Sequence, residues 1–214
     1  MLFQNRTQAG EKLALEVATL APIDPLVLAL PRGGVLVGSA FARMLNCPCD
    51  VISLVKIAIP WSPEASYGVV VMDGTVVMNK PLISRLELSD TELEIATNVM
   101  LQEAKRREHI YRQGKPFSDL ENRAVILADD GLASGYSMLA AVSFVKKRRP
   151  RSIVVASPVV SDTAYRMLVA DKEIDHVNIL TRDTERLFSL EKHYKEYTRL
   201  TDDDVVRELA ISCA

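Results

Sequence analysis

One stretch of the chain decides its fold: residues 125–137 read Val-Ile-Leu-Ala-Asp-Asp-Gly-Leu-Ala-Ser-Gly-Tyr-Ser. An apolar run that ends in two acids and a loop of small residues is typical of a buried parallel strand followed by a helix. Adjacent carboxylates at the end of a buried strand are costly unless they bind something, because repulsion and desolvation both oppose them. Open α/β sheets bind ligands at this end of their strands. The stretch therefore predicts an α/β fold with a ligand site at the carboxyl edge of its sheet.

The residues behind the two acids favour a phosphate. Residues 133–137 supply small side chains, two hydroxyls and a helix N-terminus, which together suit a phosphoryl group. Asp129 and Asp130 place acceptors beside these donors, and a sugar phosphate needs both. The alternative is that the acids and Ser134 only cap the following helix. The stretch contains neither the Gly-Lys-Ser/Thr of a Walker loop nor the G-x-G-x-x-G of a dinucleotide-binding turn.

A second glycine loop follows the apolar residues 26–30 and reads Pro31-Arg32-Gly33-Gly34. Glycines at a turn from strand to helix let the backbone approach a ligand and aim the helix N–H groups at an anion. Arg32 adds a planar fork of donors. A tight turn that uses glycine for steric reasons alone is the alternative.

Apolar runs and helical periods alternate along the rest of the chain, as in proteins with parallel sheets. The predicted strands are residues 26–30, 51–57, 124–128, 153–156 and 177–180. The predicted helices are residues 35–45, a long helix from the capping box at 89–92 to near 114, and residues 135–147, 161–169 and 201–209.

Residues 59–80 interrupt this alternation. The dipeptide Asp73-Gly74 between two valine-rich runs predicts a β-hairpin, since Asp-Gly supports a type I′ turn. An insertion between parallel strands is a candidate flexible lid, and a rigid edge hairpin is the alternative.

Composition sets the remaining bounds. The chain has 214 residues, 26 Lys+Arg against 28 Asp+Glu and 48% apolar residues. These values predict a single domain over residues 1–214 and exclude a disordered chain or a broad basic surface for nucleic acid or membrane. Three cysteines, at 47, 49 and 213, favour a reducing cytoplasm. We predict neither a signal peptide nor a membrane span.

The two glycine loops carry a resemblance to a known family. Residues 126–137 resemble the signature of type I phosphoribosyltransferases for 5-phosphoribosyl-1-pyrophosphate (PRPP), and residues 30–34 resemble the pyrophosphate loop of the same family. The full length also resembles a bacterial and archaeal subgroup of phosphoribosyltransferases whose acceptor is undefined. Its matching motifs lie at residues 3–13, at Lys56 with Pro60 and Pro63, and at residues 200–205.

The resemblance implies a three-layer α/β/α fold with a mainly parallel sheet, an antiparallel hairpin insertion and a small hood from the two termini. The first strand would lie beside the strand that ends at Asp129. Both glycine loops would then meet at a topological switch point.

The resemblance also implies roles for individual residues. Residues 133–137 would hold the 5-phosphate. Asp129 and Asp130 would bind the ribose hydroxyls and place Mg²⁺, directly or through water. Arg32 and the Gly33 and Gly34 amides would bind pyrophosphate, and Lys56 would reach the same group. The implied substrate-binding residues are Arg32, Gly33, Gly34, Lys56, Asp129, Asp130, Gly131, Ala133, Ser134, Gly135, Tyr136 and Ser137, with Arg32, Asp129 and Asp130 as the catalytic set.

The implied reaction is transfer of the phosphoribosyl group to a nitrogenous acceptor with release of pyrophosphate. In the family's 6-oxopurine enzymes the position of Ala133 is an Asp that acts as acid or base, and alanine cannot do so. A hypoxanthine or guanine acceptor is therefore not carried over. A catalytically silent PRPP or nucleotide sensor, motivated by Ala133, the bulky Tyr136 and the basic run at residues 146–149, is the alternative function. A sugar-phosphate enzyme unrelated to PRPP is a further one. A homodimer is expected by analogy.

Overall fold

The main sheet has five parallel strands in the order β2-β1-β6-β7-β8. The computed structural model describes residues 2–20 and 22–212, so Cys213 lies outside the described residues. The strands are β1 (Pro25–Ala29), β2 (Cys49–Val51), β6 (Ala124–Ala128), β7 (Ser152–Ser161) and β8 (His176–Asp183).

Helices cover both faces of this sheet. They are α1 (Arg6–Ala18), α2 (Gly33–Leu45), α3 (Lys80–Leu86), α4 (Asp90–Arg112), α5 (Tyr136–Lys146), α6 (Asp162–Val169) and α7 (Asp202–Ser212), with a 3-10 turn at Leu190–His193. Successive side chains of β1 point to opposite faces of the sheet. Val27 packs in the hydrophobic cluster with α1 and α2, whereas Leu26 and Leu28 pack in the cluster with α5 and α6. A strand covered on both faces has no polar side, which explains the unbroken apolar runs.

A separate antiparallel sheet, in the order β3-β4-β5, follows β2 in the chain. Its strands are β3 (Leu54–Ile59), β4 (Ser62–Val71) and β5 (Val76–Met78), and α3 and α4 pack against it. The predicted hairpin is confirmed, because Asp73 and Gly74 form the turn between β4 and β5. Mobility of residues 59–80 stays a prediction.

The predicted α/β/α fold is confirmed, and β1 lies beside β6 with Ala29 opposite Ala128. The predicted strand 51–57 was wrong, because the chain leaves the main sheet after Val51 and enters the second sheet at Leu54. Ile52 and Ser53 are buried between the two sheets, so the apolar run continues although the strand does not. The prediction also missed α1, whose buried Leu13 and Val17 have helical spacing. No helix among the described residues is long and apolar enough to cross a membrane.

Candidate active site

A cleft of about 650 Å³ opens where β1 and β6 end. Because the two strands are neighbours in register, the loops that follow them leave the sheet side by side. The cleft is lined by Arg6, Leu30, Pro31, Arg32, Gly33, Leu54, Val55, Lys56, Arg107, Asp129, Asp130, Gly131, Ala133, Ser137, Phe188, Leu190, Tyr197, Arg199 and Leu200.

The loop after β1 packs directly on the acid pair. A Cβ atom on Gly33 would collide with the Asp130 carboxylate, and one on Gly34 would lie 2.8 Å from the carbonyl oxygen of Ala128 and 2.9 Å from the Cα of Asp129. The Pro31–Arg32 peptide bond is cis. These two glycines are therefore required for contact between the loops, in addition to any approach by a ligand.

Two helices begin at the cleft without a side-chain cap. Neither the N-cap of α2, Arg32, nor that of α5, Gly135, makes a side-chain capping hydrogen bond to the described residues. Gly135 has a φ of 80°, a left-handed conformation that glycine adopts without strain. The helices that begin elsewhere are capped: α1 by Asn5, α3 by Asn79, α4 by Ser89 and α6 by Ser161. The Gly33 amide of α2 and the first-turn amides of α5 thus have no capping partner among the described residues and can bind an anion, whereas the Val35 N–H of α2 donates to the carbonyl of Arg32 at 3.2 Å.

A smaller hollow of about 50 Å³ adjoins the cleft within the loop after β6. Hydrogen bonds anchor this loop to β7, because the Leu132 N–H donates to the carbonyl of Val159 at 2.9 Å and the Ser161 hydroxyl donates to the carbonyl of Ala133 at 2.5 Å. The hollow is lined by Lys56, Asp129, Gly131, Leu132, Ala133, Ser134, Gly135, Ser137 and Met138. Its hydroxyls, uncapped amides and one lysine suit a single phosphoryl group.

The two acids have different surroundings. Burial, together with the charge of Asp130, raises the pKa of Asp129 well above its usual range. The Asp130 Oδ2 atom instead accepts a hydrogen bond of 2.7 Å from Arg6 Nε, in a pair whose side chains are 5% and 10% exposed. One carboxylate is therefore neutralised by the protein, while its neighbour faces the cleft without such a partner among the described residues.

Arg32 lies at the cleft, as predicted, but its side chain is also bound by the protein. Its Nη1 donates to the carbonyl of Leu200 at 2.8 Å, and its Nε lies 3.2 Å from Asp202 Oδ1. The side chain remains 41% exposed. A guanidinium has five N–H donors, so it has donors left for a ligand.

Three cations of the cleft were missed by the sequence analysis: Arg6, Arg107 and Arg199. Arg6 lies in a motif that carried the resemblance, and it follows the helix-capping Asn5, but neither feature assigns it to the acid pair. Arg107 belongs to a basic run on α4 that is typical of a solvated face. With Arg32 and Lys56, these residues outnumber the acids that line the cleft. Three of the five are already in ion pairs, Arg6 with Asp130, Arg32 with Asp202 and Arg107 with Glu103. Lys56 and Arg199 make no ion pair with the described residues. The cleft therefore favours an anionic ligand.

The remaining wall comes from the C-terminal part of the chain. Phe188, Leu190, Tyr197 and Leu200 line the cleft there with apolar or aromatic surface. This wall and Arg6 correspond to the hood expected from the termini. Two predicted residues line neither the cleft nor the hollow: Gly34 packs behind them, and Tyr136 packs against the core beneath α5. The structure thus gives Tyr136 a packing role.

The side chains of the cleft determine whether it could bind a metal ion. The described residues contain no group of three His, Cys, Asp or Glu side chains that would hold a metal ion by themselves. Mg²⁺ is commonly bound by one or two carboxylates together with substrate phosphates and water. Asp129, with Asp130 next to it, supplies carboxylates of that kind, so the site fits Mg²⁺ that binds together with a diphosphate.

Comparison with known proteins identifies a family. The family model of the phosphoribosyl transferase domain matches residues 69–186, more than half of the chain. That range includes Asp129, Asp130 and the loop behind them, whereas Arg6, Arg32, Gly33, Gly34 and Lys56 precede it.

Individual relatives were also found. Two proteins of Mycobacterium tuberculosis, from strains CDC 1551 and H37Rv and provisionally named phosphoribosyl transferases, are 30% identical over 205 residues, which is 96% of this chain and 46% of theirs. The chain therefore spans about half the length of the curated relatives it matches. The crystal structure of TT1426 from Thermus thermophilus is 34% identical with a TM-score of 0.81, over 100% of both chains. The AQ2163 protein from Aquifex aeolicus shares the fold, with a TM-score of 0.52 and 10% identity over 83% of this chain and 74% of that one.

Proposed function

Because the chain belongs to the phosphoribosyl transferase family, we propose that it transfers the 5-phosphoribosyl group of PRPP to a nitrogenous acceptor and releases pyrophosphate. One observation carries this proposal: two uncapped helix N-termini meet a pair of acids in one cationic cleft. PRPP presents a monophosphate, a diphosphate and two ring hydroxyls, and the cleft offers a partner for each. The proposed compartment is the cytoplasm, because three cysteines favour a reducing environment.

The 5-phosphate binds in the small hollow of the loop after β6. The first-turn amides of α5 and the hydroxyls of Ser134 and Ser137 donate to its oxygens, and Lys56 at the rim balances its charge. The small side chain of Ala133 leaves room for the phosphoryl group, whereas the space beside Gly131 is taken by Leu190 of the C-terminal wall.

The acids bind the ribose hydroxyls. Each acid already has one oxygen engaged, since Asp129 Oδ1 accepts the Asp130 N–H at 2.8 Å and Asp130 Oδ2 accepts from Arg6. Asp129 is the better acceptor for a hydroxyl, because the cation of Arg6 withdraws charge from Asp130. Departure of pyrophosphate builds positive charge on the ribose ring, and a nearby carboxylate stabilises this charge more in the transition state than in the ground state.

Pyrophosphate binds at the start of α2. The Gly33 amide and the free donors of Arg32 hold its oxygens, and Lys56 approaches from β3. Mg²⁺ bound with the substrate would neutralise part of the diphosphate charge and favour its departure. The Arg32 guanidinium does the same from the protein side, since its cation stabilises the leaving group as negative charge develops.

The acceptor nitrogen attacks the anomeric carbon from the C-terminal wall. Phe188, Leu190 and Tyr197 offer it an apolar and aromatic surface, which suits a planar acceptor. Ala133 supplies no carboxylate there, so an acceptor that is already a nucleophile at neutral pH fits better than one that needs a general base at this position.

Calorimetry with PRPP and with ribose 5-phosphate, each with Mg²⁺, tests donor binding. We expect tight binding of PRPP at one site and much weaker binding of ribose 5-phosphate, which lacks the diphosphate. Equal affinity for the two ligands contradicts the proposal and favours an enzyme of another sugar phosphate.

Release of pyrophosphate from PRPP, measured against a panel of bases and amines, tests the transfer step. Release that depends on one acceptor supports the enzyme. Tight binding of PRPP with no release on any acceptor contradicts transfer and supports the sensor.

A further inference from the structure

Arg6 connects parts of the chain that are far apart in sequence. It is the first residue of α1, its side chain is 5% exposed, and its Nε donates to Asp130 Oδ2 at 2.7 Å, across 124 positions of sequence. A charge this deeply buried is costly unless every part of it is satisfied. The contacts of its remaining atoms therefore indicate what the pair is for.

The rest of the guanidinium holds the C-terminal wall. Arg6 Nη1 donates to the carbonyl oxygen of Thr198 at 2.9 Å, and the guanidinium carbon lies 4.3 Å from the centre of the Tyr197 ring. The Tyr194 hydroxyl donates to the main-chain carbonyl of Asp130 at 2.7 Å. The segment 194–198 is thus fastened to Asp130 twice, once through Arg6 and once directly.

This segment forms the side of the cleft assigned above to the acceptor, because Tyr197 and the neighbouring Arg199 and Leu200 line it. Among the described residues, backbone pairing supports its beginning: the Lys195 N–H donates to the carbonyl of Phe3 at 2.9 Å and the Glu196 N–H to that of Gln4 at 2.9 Å. Beyond Glu196, the side chains of Arg6 and Arg32 hold it, through Thr198 and Leu200.

We propose that Arg6 is a positioning residue that couples the acid pair to the acceptor wall. Its planar guanidinium binds both the Asp130 carboxylate and the carbonyl of Thr198. PRPP bound at the acids therefore also fixes the wall on which the nitrogenous acceptor lies. The inference rests on the proposed function for the identity of the two ligands, and on the geometry alone for the attachment of the wall.

Two substitutions separate charge from geometry. Arg6→Lys keeps a cation for Asp130, but a single ammonium cannot reproduce the planar fork that reaches Asp130 and Thr198 while lying on Tyr197. Arg6→Met removes both. Lys12→Met is the matched control, because Lys12 is a cation on the same helix that does not line the cleft, and its ammonium lies near the Phe3 ring, 5.8 Å from its centre.

The measurement is the rate of tryptic cleavage after Arg199, followed by mass spectrometry of the fragment that begins at Leu200, with and without PRPP and Mg²⁺. Arg199 is exposed, so cleavage there reports how often the wall leaves its position. Without ligand, we expect Arg6→Lys and Arg6→Met to be cleaved about tenfold faster than wild type and Lys12→Met. With PRPP, wild type and Lys12→Met become protected, whereas the two Arg6 variants do not. Protection is compared at PRPP concentrations that calorimetry shows to saturate each variant.

Cleavage of Arg6→Lys at the wild-type rate, with or without PRPP, overturns the inference. If Arg6→Met fails to fold, as judged by circular dichroism, Arg6→Lys alone decides the outcome. If wild type does not bind PRPP, the proposed function fails, and the cleavage rates without ligand still test the attachment of the wall by Arg6.

Discussion

Two clefts of nearly equal size lie at opposite ends of α2. The cleft at its first residue, Gly33, has a volume of about 650 Å³, and the cleft at its C-cap, Asn46, has a volume of about 620 Å³. Both contain arginine and lysine side chains. Size and composition alone would not distinguish them.

The difference lies in which polar groups are already satisfied. In the second cleft, Arg43 and Arg112 lie in the last turns of α2 and α4, where cations stabilise the carbonyl ends of helices. Arg43 pairs with Glu208 at 3.1 Å, and Arg112 pairs with Asp50 at 3.0 Å. In the first cleft, Arg6 and Arg32 are paired as well, and Lys56, like Lys115 in the second cleft, makes no ion pair with the described residues. The first cleft differs in the two helices that begin there without a side-chain cap. Uncapped helix amides, and not volume or charge, therefore mark the proposed ligand site.

The largest expected effect comes from closing the first cleft at α2. Gly33→Val places a branched side chain against the Asp130 carboxylate and should abolish detectable PRPP binding in calorimetry. Overpacking of this kind also costs about 1–3 kcal/mol of stability. Gly10→Ala is the control, because its Cβ would meet the carbonyl of Val37 where α1 packs on α2, away from the cleft. It should lower stability yet retain binding, and equal binding by both variants would remove Gly33 from the site.

A smaller effect is expected from a single cation of the first cleft. Lys56→Met should weaken PRPP binding by about 10–100-fold, since a hydrogen bond to a charged group contributes about 1.5–3 kcal/mol. The affinity of the variant should also depend less steeply on salt concentration. Calorimetry at two ionic strengths measures both effects. An unchanged affinity would mean that neither the 5-phosphate nor the pyrophosphate of PRPP lies beside Lys56 on β3.

The second cleft should contain a shielded thiol. Burial raises the pKa of Cys47 from 9.0 to about 11, and only the thiolate is nucleophilic. Alkylation of Cys47 in the native protein should therefore be slow at pH 8 and rise about tenfold per pH unit, as measured on its own peptide by mass spectrometry.

The sign of the accompanying stability change follows from the same shift. A raised pKa in the folded state stabilises the fold fully below pH 9 and loses that contribution as the pH rises towards 11. Alkylation should therefore be followed below pH 9. If Cys47 reacts below pH 9 as fast as an exposed thiol, the burial of its side chain in the second cleft is contradicted.

The smallest effect is expected from Lys115→Met, which matches Lys56→Met in chemistry but changes the second cleft. PRPP affinity should stay within about twofold of wild type, because Lys115 follows the C-terminal end of α4 and lines the cleft at the other end of α2 from the uncapped amides. A loss as large as that of Lys56→Met would mean that the two clefts do not differ in the way described.

Local sequence patterns predicted the parts of the site that depend on local structure. The strands before both glycine loops are short apolar runs bounded by turn residues, so their positions and the loops behind them were predictable. The hydrophobic period of α1 was also present, in Leu13 and Val17, but was not used. The strand 51–57 was predicted wrongly, because burial continues through Ile52 and Ser53 while the chain changes sheets.

The partners of the acid pair were not predictable from local pattern. Arg6 meets Asp130 across 124 positions, and Arg32 meets Leu200 across 168. Such contacts depend on how α1 and the C-terminal segment pack on the sheet, which no spacing in the sequence records. Gly33 illustrates the same limit. The sequence predicted that its missing side chain lets a ligand approach, and in the structure the space of that side chain is taken by the Asp130 carboxylate.

Calorimetric titration of Asp129→Asn beside wild type, with PRPP and Mg²⁺, tests the ligand site most directly. The substitution is mild for the fold, because the amide oxygen of Asn can still accept the Asp130 N–H bond of 2.8 Å, and repulsion between adjacent carboxylates is removed. We predict one PRPP site in wild type and a loss of at least about tenfold in affinity in Asp129→Asn, with unchanged or higher thermal stability. Binding of PRPP by Asp129→Asn with the affinity of wild type would contradict the assignment of this cleft.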